Sequence, residues 1–365
     1  MTGMHRLLLC LLLCASPAIA GEDDDFLLGV NLAGAEFAPQ ELPGIEGRNW
    51  AWPSQECIDY WHKSGVRLIR LPFKWERLQP TLMQDFDPAY AAGLAKVVAL
   101  LRERDMRLIL DVHNYGKYRQ KPIGSPEVPF AAFHDLWKRL ATIHKDEPHI
   151  WGYGLMNEPG KGWREAAQHG IDGVRAVDQK TRILVANDYP CWGATRANLK
   201  PDTDLVAWAA QGMAFGDPAM LKDPANRIVW ELHFYFDHDA SGTYRKTYDE
   251  EIARKDGPEQ RVRPEVGVHR MKPFVEWLKH HHAKGFIGEY SAPADDPRWM
   301  EILEKTLAYM AENKIPSAYW AGGSSWSPYR THCIERSGWP KDVTGELRLR
   351  DRPQLEMMRK FLPAR

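Results

Sequence analysis

Two glutamates sit where cleavage chemistry would need them. Glu158 follows Leu155-Met156-Asn157 at the end of one apolar run, and Glu289 follows Gly288 at the end of another. A carboxyl pair flanking a glycosidic bond can break it: one acid protonates the leaving oxygen while the other attacks the anomeric carbon, and the oxocarbenium-like transition state favours the nearby negative charge. A gap of roughly 5–5.5 Å between the two gives retention of configuration, and one of about 6.5–9.5 Å gives inversion. Other apolar runs are interrupted in the same way. Arg70 breaks Val66–Phe73, Asp111 and His113 close Arg107–Asn114, His233 and Tyr235 close Ile228–Phe236, and Trp320 lies in Ser317–Gly322. One such residue is an ordinary paired core group. Six run ends are hard to obtain from packing alone, because each buried polar group costs free energy unless partnered.

Each of these side chains has a plain physical duty beside the carboxyl pair. Arg70 can hydrogen-bond Glu289 and keep it ionised, since an adjacent cation lowers a carboxylate pKa, and Tyr235 can donate to the same group. Asn157, beside the acid, can hold a sugar 2-hydroxyl. His113 and His233 can bond sugar hydroxyls or position Glu158, and Trp320 offers a flat face to a sugar ring. Asp111, His113 and His233 also suit a metal. Metal-dependent hydrolases on a barrel usually begin with His-x-His on the first strand, whereas this one reads Gly29-Val30-Asn31-Leu32, so no metal and no cofactor are expected.

These residues need eight strands to carry them. Short apolar runs occur at Phe26–Gly34, Val66–Phe73, Arg107–Asn114, Ile150–Asn157, Arg182–Asn187, Ile228–Phe236, Gly285–Tyr290 and Ser317–Gly322. Helical periodicity fills Ala89–Arg104, Phe130–His144, Trp163–Asp178, Lys272–Ala283, Asp296–Asn313 and Gln354–Leu362. Alternation of this kind implies parallel βαβ units. A dinucleotide-binding open sheet would show G-x-G-x-x-G after its first strand, which Gly29–Gly34 does not supply. Eight units fit an α/β fold closed as a single (β/α)8 barrel, with the polar residues at the C-terminal ends of the strands. The charged, turn-rich stretch Asp237–Arg270 reads as an excursion after strand six.

The ends and the composition bound the rest. Met1–Arg6 is basic, Leu7–Ala15 is apolar but too short to span a bilayer, and Ala18-Ile19-Ala20 is a small-x-small cleavage pattern. Residues 1–20 are therefore expected to be a cleaved export signal, placing the mature 21–365 domain outside the cell or in a periplasm. A net charge of −1 over 365 residues argues against nucleic acid or an anionic membrane as partner. The widely spaced Cys57, Cys191 and Cys333 lack zinc-ligand spacing. Strands one and eight adjoin in a closed barrel, so Cys57 and Cys333 would approach each other, and whether they pair is open. Of the 15 Trp, those in loops are candidate sugar platforms or loop packing. Trp192 after strand five and Trp326 after strand eight lead that group, with Trp50, Trp52, Tyr115 and Tyr118 behind. Lys117, Arg119 and Arg330 are cleft charges or solvated loop charges. His280-His281-His282 suits a helix C-terminus rather than a metal.

The ordered set Arg70, His113, Asn157-Glu158, His233-x-Tyr235, Glu289 and Trp320 resembles that of glycoside hydrolase family five. The segments Gly29–Phe37, Arg70–Pro80 and Leu155–Pro159 look like its endo-β-1,4-glucanase branch. The resemblance spans nearly the whole mature chain. It implies a retaining, double-displacement hydrolase of β-1,4-linked glucan, with Glu158 as acid/base and Glu289 as nucleophile, acting without cofactor. The chain is expected to be a monomer. A β-mannanase or an exopolysaccharide-trimming enzyme would use the same machinery, and a barrel that only binds carbohydrate would not need both glutamates. No residues are left over for a cellulose-binding module, which favours soluble or amorphous substrate.

Overall fold

In the computed structural model of the chain, residues 26–160, 162–186, 218–254, 261–323, 325, 332–335 and 351–362 are described. Eight parallel strands close on themselves: β1 (Leu28–Leu32), β2 (Leu68–Phe73), β3 (Arg107–Val112), β4 (Ile150–Gly154), β5 (Arg182–Ala186), β6 (Ile228–His233), β7 (Lys284–Glu289) and β8 (Ser317–Gly322). Neighbours in the barrel are neighbours in the chain, and β1 pairs with β8. Every residue of β1, β2 and β4 is buried. That is why the strands read as continuous apolar runs: helices cover one face and barrel contents the other.

The contents come in layers. Leu68, Ile109, Trp151, Leu184, Val229, Phe286 and Ala318, one from each of β2 to β8, pack into an apolar plug. Two residues further along their strands, Arg70, Asp111 and Glu231 are 0–3 % exposed. Burying these ions is tolerable only because they pair with one another. Between β6 and β7 the register slips: Leu232 faces Ile287, but His233 faces Glu289, leaving Gly288 unpartnered. The slip brings His233 and Glu289 side by side.

Helices begin where local chemistry allows. Ser54, Asp87 and Asp296 accept from backbone amides at the starts of Gln55–Lys63, Pro88–Arg102 and Pro297–Glu312, the last two with proline in the first turn. Two sequence boundaries shift. The helix expected from Lys272 begins at Val266 and runs through Pro273, because Val266, Arg270, Phe274 and Leu278 form one buried face. Arg270 is thus helical rather than the end of an excursion, and it donates to the carbonyls of Tyr235 and Asp237. β4 and β6 also end earlier than their apolar runs, so Asn157, Glu158 and Tyr235 stand on the loops just beyond them. His282 caps that helix in the left-handed region with φ 51°.

Most of the tryptophans are core. Trp61, Trp75, Trp137, Trp163 and Trp299 are almost wholly buried. Trp50 and Trp52, expected as candidate platforms, pack instead on Tyr90 with ring centroids 4.8 and 4.7 Å away. Gly93 lies under Trp52, where a Cβ would meet the indole at 2.1 Å. Tyr118 is likewise buried, its hydroxyl donating to the Gln79 and Pro80 carbonyls. Cys57 and Cys333 are not bonded to each other. The first donates to a Glu335 carboxylate oxygen at 3.5 Å and the second to the Glu335 carbonyl at 3.9 Å. No described helix is long and apolar enough to cross a membrane.

The loop after β1 hangs on one side chain. Arg77 is buried and donates to the carbonyls of Ala35, Phe37, Ala38 and Pro43 at 2.6–3.0 Å. Replacing Arg77 with Met leaves those acceptors unmet and should cost about 2–4 kcal/mol in denaturant unfolding. A loss below about 1 kcal/mol would mean that the loop is held by something else.

Candidate active site

The polar residues expected at the rim converge in one place. Past β4, Glu158 takes φ 40°, the left-handed region in which a non-glycine residue is strained and which clusters at functional sites. Its Oε1 lies 3.2 Å from His233 Nδ1. Glu289, the last residue of β7, accepts from the Tyr235 hydroxyl at 2.5 Å and lies 3.4 Å from Arg70 Nη1. One oxygen of Glu158, one nitrogen of His233 and one oxygen of Glu289 all lie within 4.8 Å of one another. All three side chains are at least nine-tenths buried.

Beneath them Arg70 organises the layer. Its guanidinium reaches Asn157 Oδ1 at 2.8 Å, Asn31 Oδ1 at 2.9 Å, Glu231 Oε1 at 3.0 Å and Asp111 Oδ2 at 3.1 Å. Glu289 is its most distant partner at 3.4 Å, so the expected contact is present but is one of five. Burial raises the Glu289 carboxyl, His233 pulls it back, Glu158 pushes it up and Arg70 pulls it down, with a net rise. Burial also pushes Asp111 up, but Arg70 and His113 outweigh it and hold that carboxyl below its usual range. His233 behaves oppositely. Burial disfavours its charge, yet Glu289, Glu158 and Glu231 raise it to about 10.

A second set of contacts fixes the aromatic floor. His113 Nδ1 is 2.8 Å from Asp111 Oδ2, and its Nε2 is 3.2 Å from the Tyr115 hydroxyl. The ring lies flat against Trp320, with centroids 5.3 Å apart and planes 11° off parallel. Trp320 and His113, with Glu36, Lys74, Phe37 and the half-exposed Tyr115, line a cavity of about 380 Å³. Larger hollows of about 510 and 570 Å³ open among the first residues of the strands, at Arg107, Trp151 and Arg182. They face away from the carboxylates, so size does not locate the site. The loop after β6 serves it from behind: a Cβ at Gly242, φ 69°, would strike the Tyr235 ring at 2.7 Å.

Of the expected site residues, Arg70, His113, Asn157, Glu158, His233, Tyr235, Glu289 and Trp320 come together. Trp192 and Trp326 lie outside the described residues. Two participants went unrecognised, Glu231 and Asn31. Glu231-x-His233-x-Tyr235 has the period-two spacing of one strand face, a signal that points Glu231 inward with its neighbours. As for a cation, Glu158, His233 and Glu289 are close enough to surround one. Both ring nitrogens of His233 already face carboxylates, Glu158 and Glu231, and Asp111 is bound to both His113 and Arg70. The donor set does not fit a metal.

Removing the guanidinium should be severe. Arg70→Met strands buried carboxylates, which should cost about 3–5 kcal/mol at pH 7. The deficit should shrink as pH falls toward 4, because protonation removes the unpaired charges. Urea unfolding at both pH values checks this, and a loss that does not depend on pH would contradict it.

A model of the cellulase family, glycosyl hydrolase family 5, matches residues 30–325. The endoglucanase Cel5A of Pseudomonas stutzeri, solved with cellobiose, superposes with a TM-score of 0.78 at 37 % identity, over 93 % of this chain and 94 % of that one. XacCel5A, solved with cellopentaose, gives 0.76 at 32 % identity over 92 % and 99 %. A probable endo-β-1,4-glucanase B of Aspergillus oryzae is 28 % identical over 315 residues, 83 % of each chain.

Proposed function

The chain belongs to the cellulase family, glycosyl hydrolase family 5, and from that premise we propose that it cuts internal β-1,4 linkages of glucan with Glu289 as nucleophile and Glu158 as acid/base. The observation that carries this reading is that one oxygen of Glu158 and one of Glu289 lie within 4.8 Å of each other, which suits the roughly 5–5.5 Å pair of a retaining enzyme better than the about 6.5–9.5 Å that an inverting enzyme needs for its water.

The site divides the work. Two carboxyls this close share one proton, since both cannot ionise cheaply. Tyr235 and Arg70 donate to Glu289, which favours its ionised form and leaves the proton on Glu158. Glu289 attacks the anomeric carbon while Glu158 protonates the departing glycosidic oxygen, giving a covalent glycosyl ester. Glu158, now a carboxylate, takes a proton from water, whose oxygen attacks the same carbon and releases Glu289. Asn157, held by Arg70, meets the sugar 2-hydroxyl, an interaction that strengthens in the transition state. Trp320, braced by His113, stacks on the sugar ring. Trp192 and Trp326, read from the sequence alone, are the further residues proposed to stack on the polymer. The leader-like Met1–Ala20 supports action outside the cytoplasm, where such polymers are met.

Glu289→Gln and Glu158→Gln, assayed on carboxymethylcellulose and mixed-linkage β-glucan, should each lower turnover by at least about 10²–10⁴-fold with little change in melting temperature. The wild type should drop viscosity well ahead of reducing-end release. Activity confined to mannan would replace the substrate. Substantial turnover in either variant would overturn the residue assignment.

A further inference from the structure

Glu231 has no step in that reaction, yet it is buried directly behind it. Its Oε1 is 3.1 Å from His233 Nε2 and 3.0 Å from Arg70 Nε. The other ring nitrogen, Nδ1, lies 3.2 Å from Glu158 Oε1 and 3.7 Å from Glu289 Oε2. Both nitrogens therefore face carboxylate oxygens. Glu231 as a carboxylate only accepts, and Nδ1 meets an ionised carboxylate at every stage, Glu289 before attack and Glu158 after it, toward which a neutral imidazole would turn a lone pair on one side or the other. Two protons on the ring satisfy both sides.

We propose that Glu231 is a positioning residue that fixes His233 as a two-proton imidazolium between Glu158 and Glu289, so that one stationary cation faces whichever carboxylate carries the charge. The inference rests on the assignment of nucleophile and acid/base above. Before attack, the negative charge is on Glu289. After it, Glu289 is a neutral ester and Glu158, having given its proton to the leaving oxygen, is the anion. The charge has moved less than 5 Å, and His233 Nδ1 lies within 3.7 Å of both ends of that path. Hydrolysis sends it back. The imidazolium gives up no proton in either half, and it needs no reorganisation as the charge moves.

Two features of the fold protect this arrangement. A Cβ at Gly288 would lie 2.0 Å from Glu231 Oε1 and 2.4 Å from His233 Nε2, so the contact requires glycine there. The register slip between β6 and β7 falls at the same residue. The charged and titratable groups around the ring, among the described residues, are Glu231 and Tyr235 on its own strand, Glu158 beyond β4, Glu289 on β7, Asp111 on β3 and Arg70 on β2. Arg70 opposes a second cation, and the carboxylates, three of them ionised at any one time, favour it.

The test uses the whole mature enzyme and the variant Glu231→Gln, with ¹⁵N NMR of the His233 ring, assigned through His233→Asn, beside the pH profile of kcat/KM on a soluble cello-oligosaccharide. Wild-type His233 should carry protons on both nitrogens at pH 7. In Glu231→Gln the ring should titrate nearer neutrality, and loss of the cation should move the acidic limb of kcat/KM upward by about one pH unit, with kcat falling more than KM changes. Gly288→Ala, which crowds the pair apart, should move the limb the same way. A neutral wild-type ring would overturn the proposal even if the variants failed to fold. So would a limb in Glu231→Gln that stays put or moves down, the result if Glu231 contributed only its own negative charge. Failure of the underlying assignment would look different: Glu289→Gln would stay active while the His233 signal remained that of an imidazolium.

Discussion

A guanidinium with no solvent exposure, close to the axis of a closed barrel, is tolerable only if the groups around it compensate its charge. Arg70 finds them on six strands or their ends: its own β2, Asn31 on β1, Asp111 on β3, Asn157 beyond β4, Glu231 on β6, which meets Nε as an ion pair rather than an aligned hydrogen bond, and Glu289 on β7. A lysine ammonium has neither the planar fork nor enough donors for this set. The dependence runs both ways, because the carboxylates that make the cation tolerable are themselves tolerable only around it. Asn31 completes the tie by donating to the carbonyls of Gly288 and Ala318, fixing β7 and β8 relative to β1.

From this layer the site is built in two storeys on an apolar plug. Below, Arg70, Asp111 and Glu231 form a structural network whose charges stay put. Above, Glu158 and Glu289 are the pair proposed to exchange charge during turnover, and two histidines join the levels. His113 transmits the position of Asp111 to the Trp320 ring, while His233 links Glu231 to the reacting pair. Asp111 is held ionised by the cation beside it, whereas Glu289 lies higher because burial outweighs its cationic neighbours. Carboxylates at neighbouring levels of one barrel are thus poised differently by their surroundings rather than by their type.

The sequence disclosed the barrel readily, because parallel strands buried on both faces are short unbroken apolar runs that cannot be mistaken for half-solvated ones. Polar residues at the ends of those runs disclosed the rim for the same reason: Arg70 and Glu289 stand out against Leu, Ile and Val. What stayed hidden depends on register and on distant contacts. Nothing local to Gly288 says that it slips the pairing and clears space for Glu231. Arg70 was read as a partner of Glu289, since two site residues suggest a pair, yet four acceptors lie nearer to it. Trp50 and Trp52 looked like loop platforms because they follow strand one, and only the packing of Tyr90 and the bare Cα of Gly93 turn them inward. The early start of the Val266–His281 helix was masked by Pro273, a residue that usually marks a first turn.

The covalent ester proposed on Glu289 is the point on which the whole arrangement can be tried most directly. A 2-deoxy-2-fluoro cello-oligosaccharide with a good leaving group would report it, because fluorine destabilises the oxocarbenium-like transition states of both steps while the leaving group spares the first. Mass spectrometry of the intact chain should show one glycosyl adduct per molecule, and peptide mapping should place it on Glu289, with no adduct on Glu289→Gln. Steady turnover without any adduct, or an adduct on Glu158 or elsewhere, would contradict the assignment of nucleophile and the charge migration that follows from it.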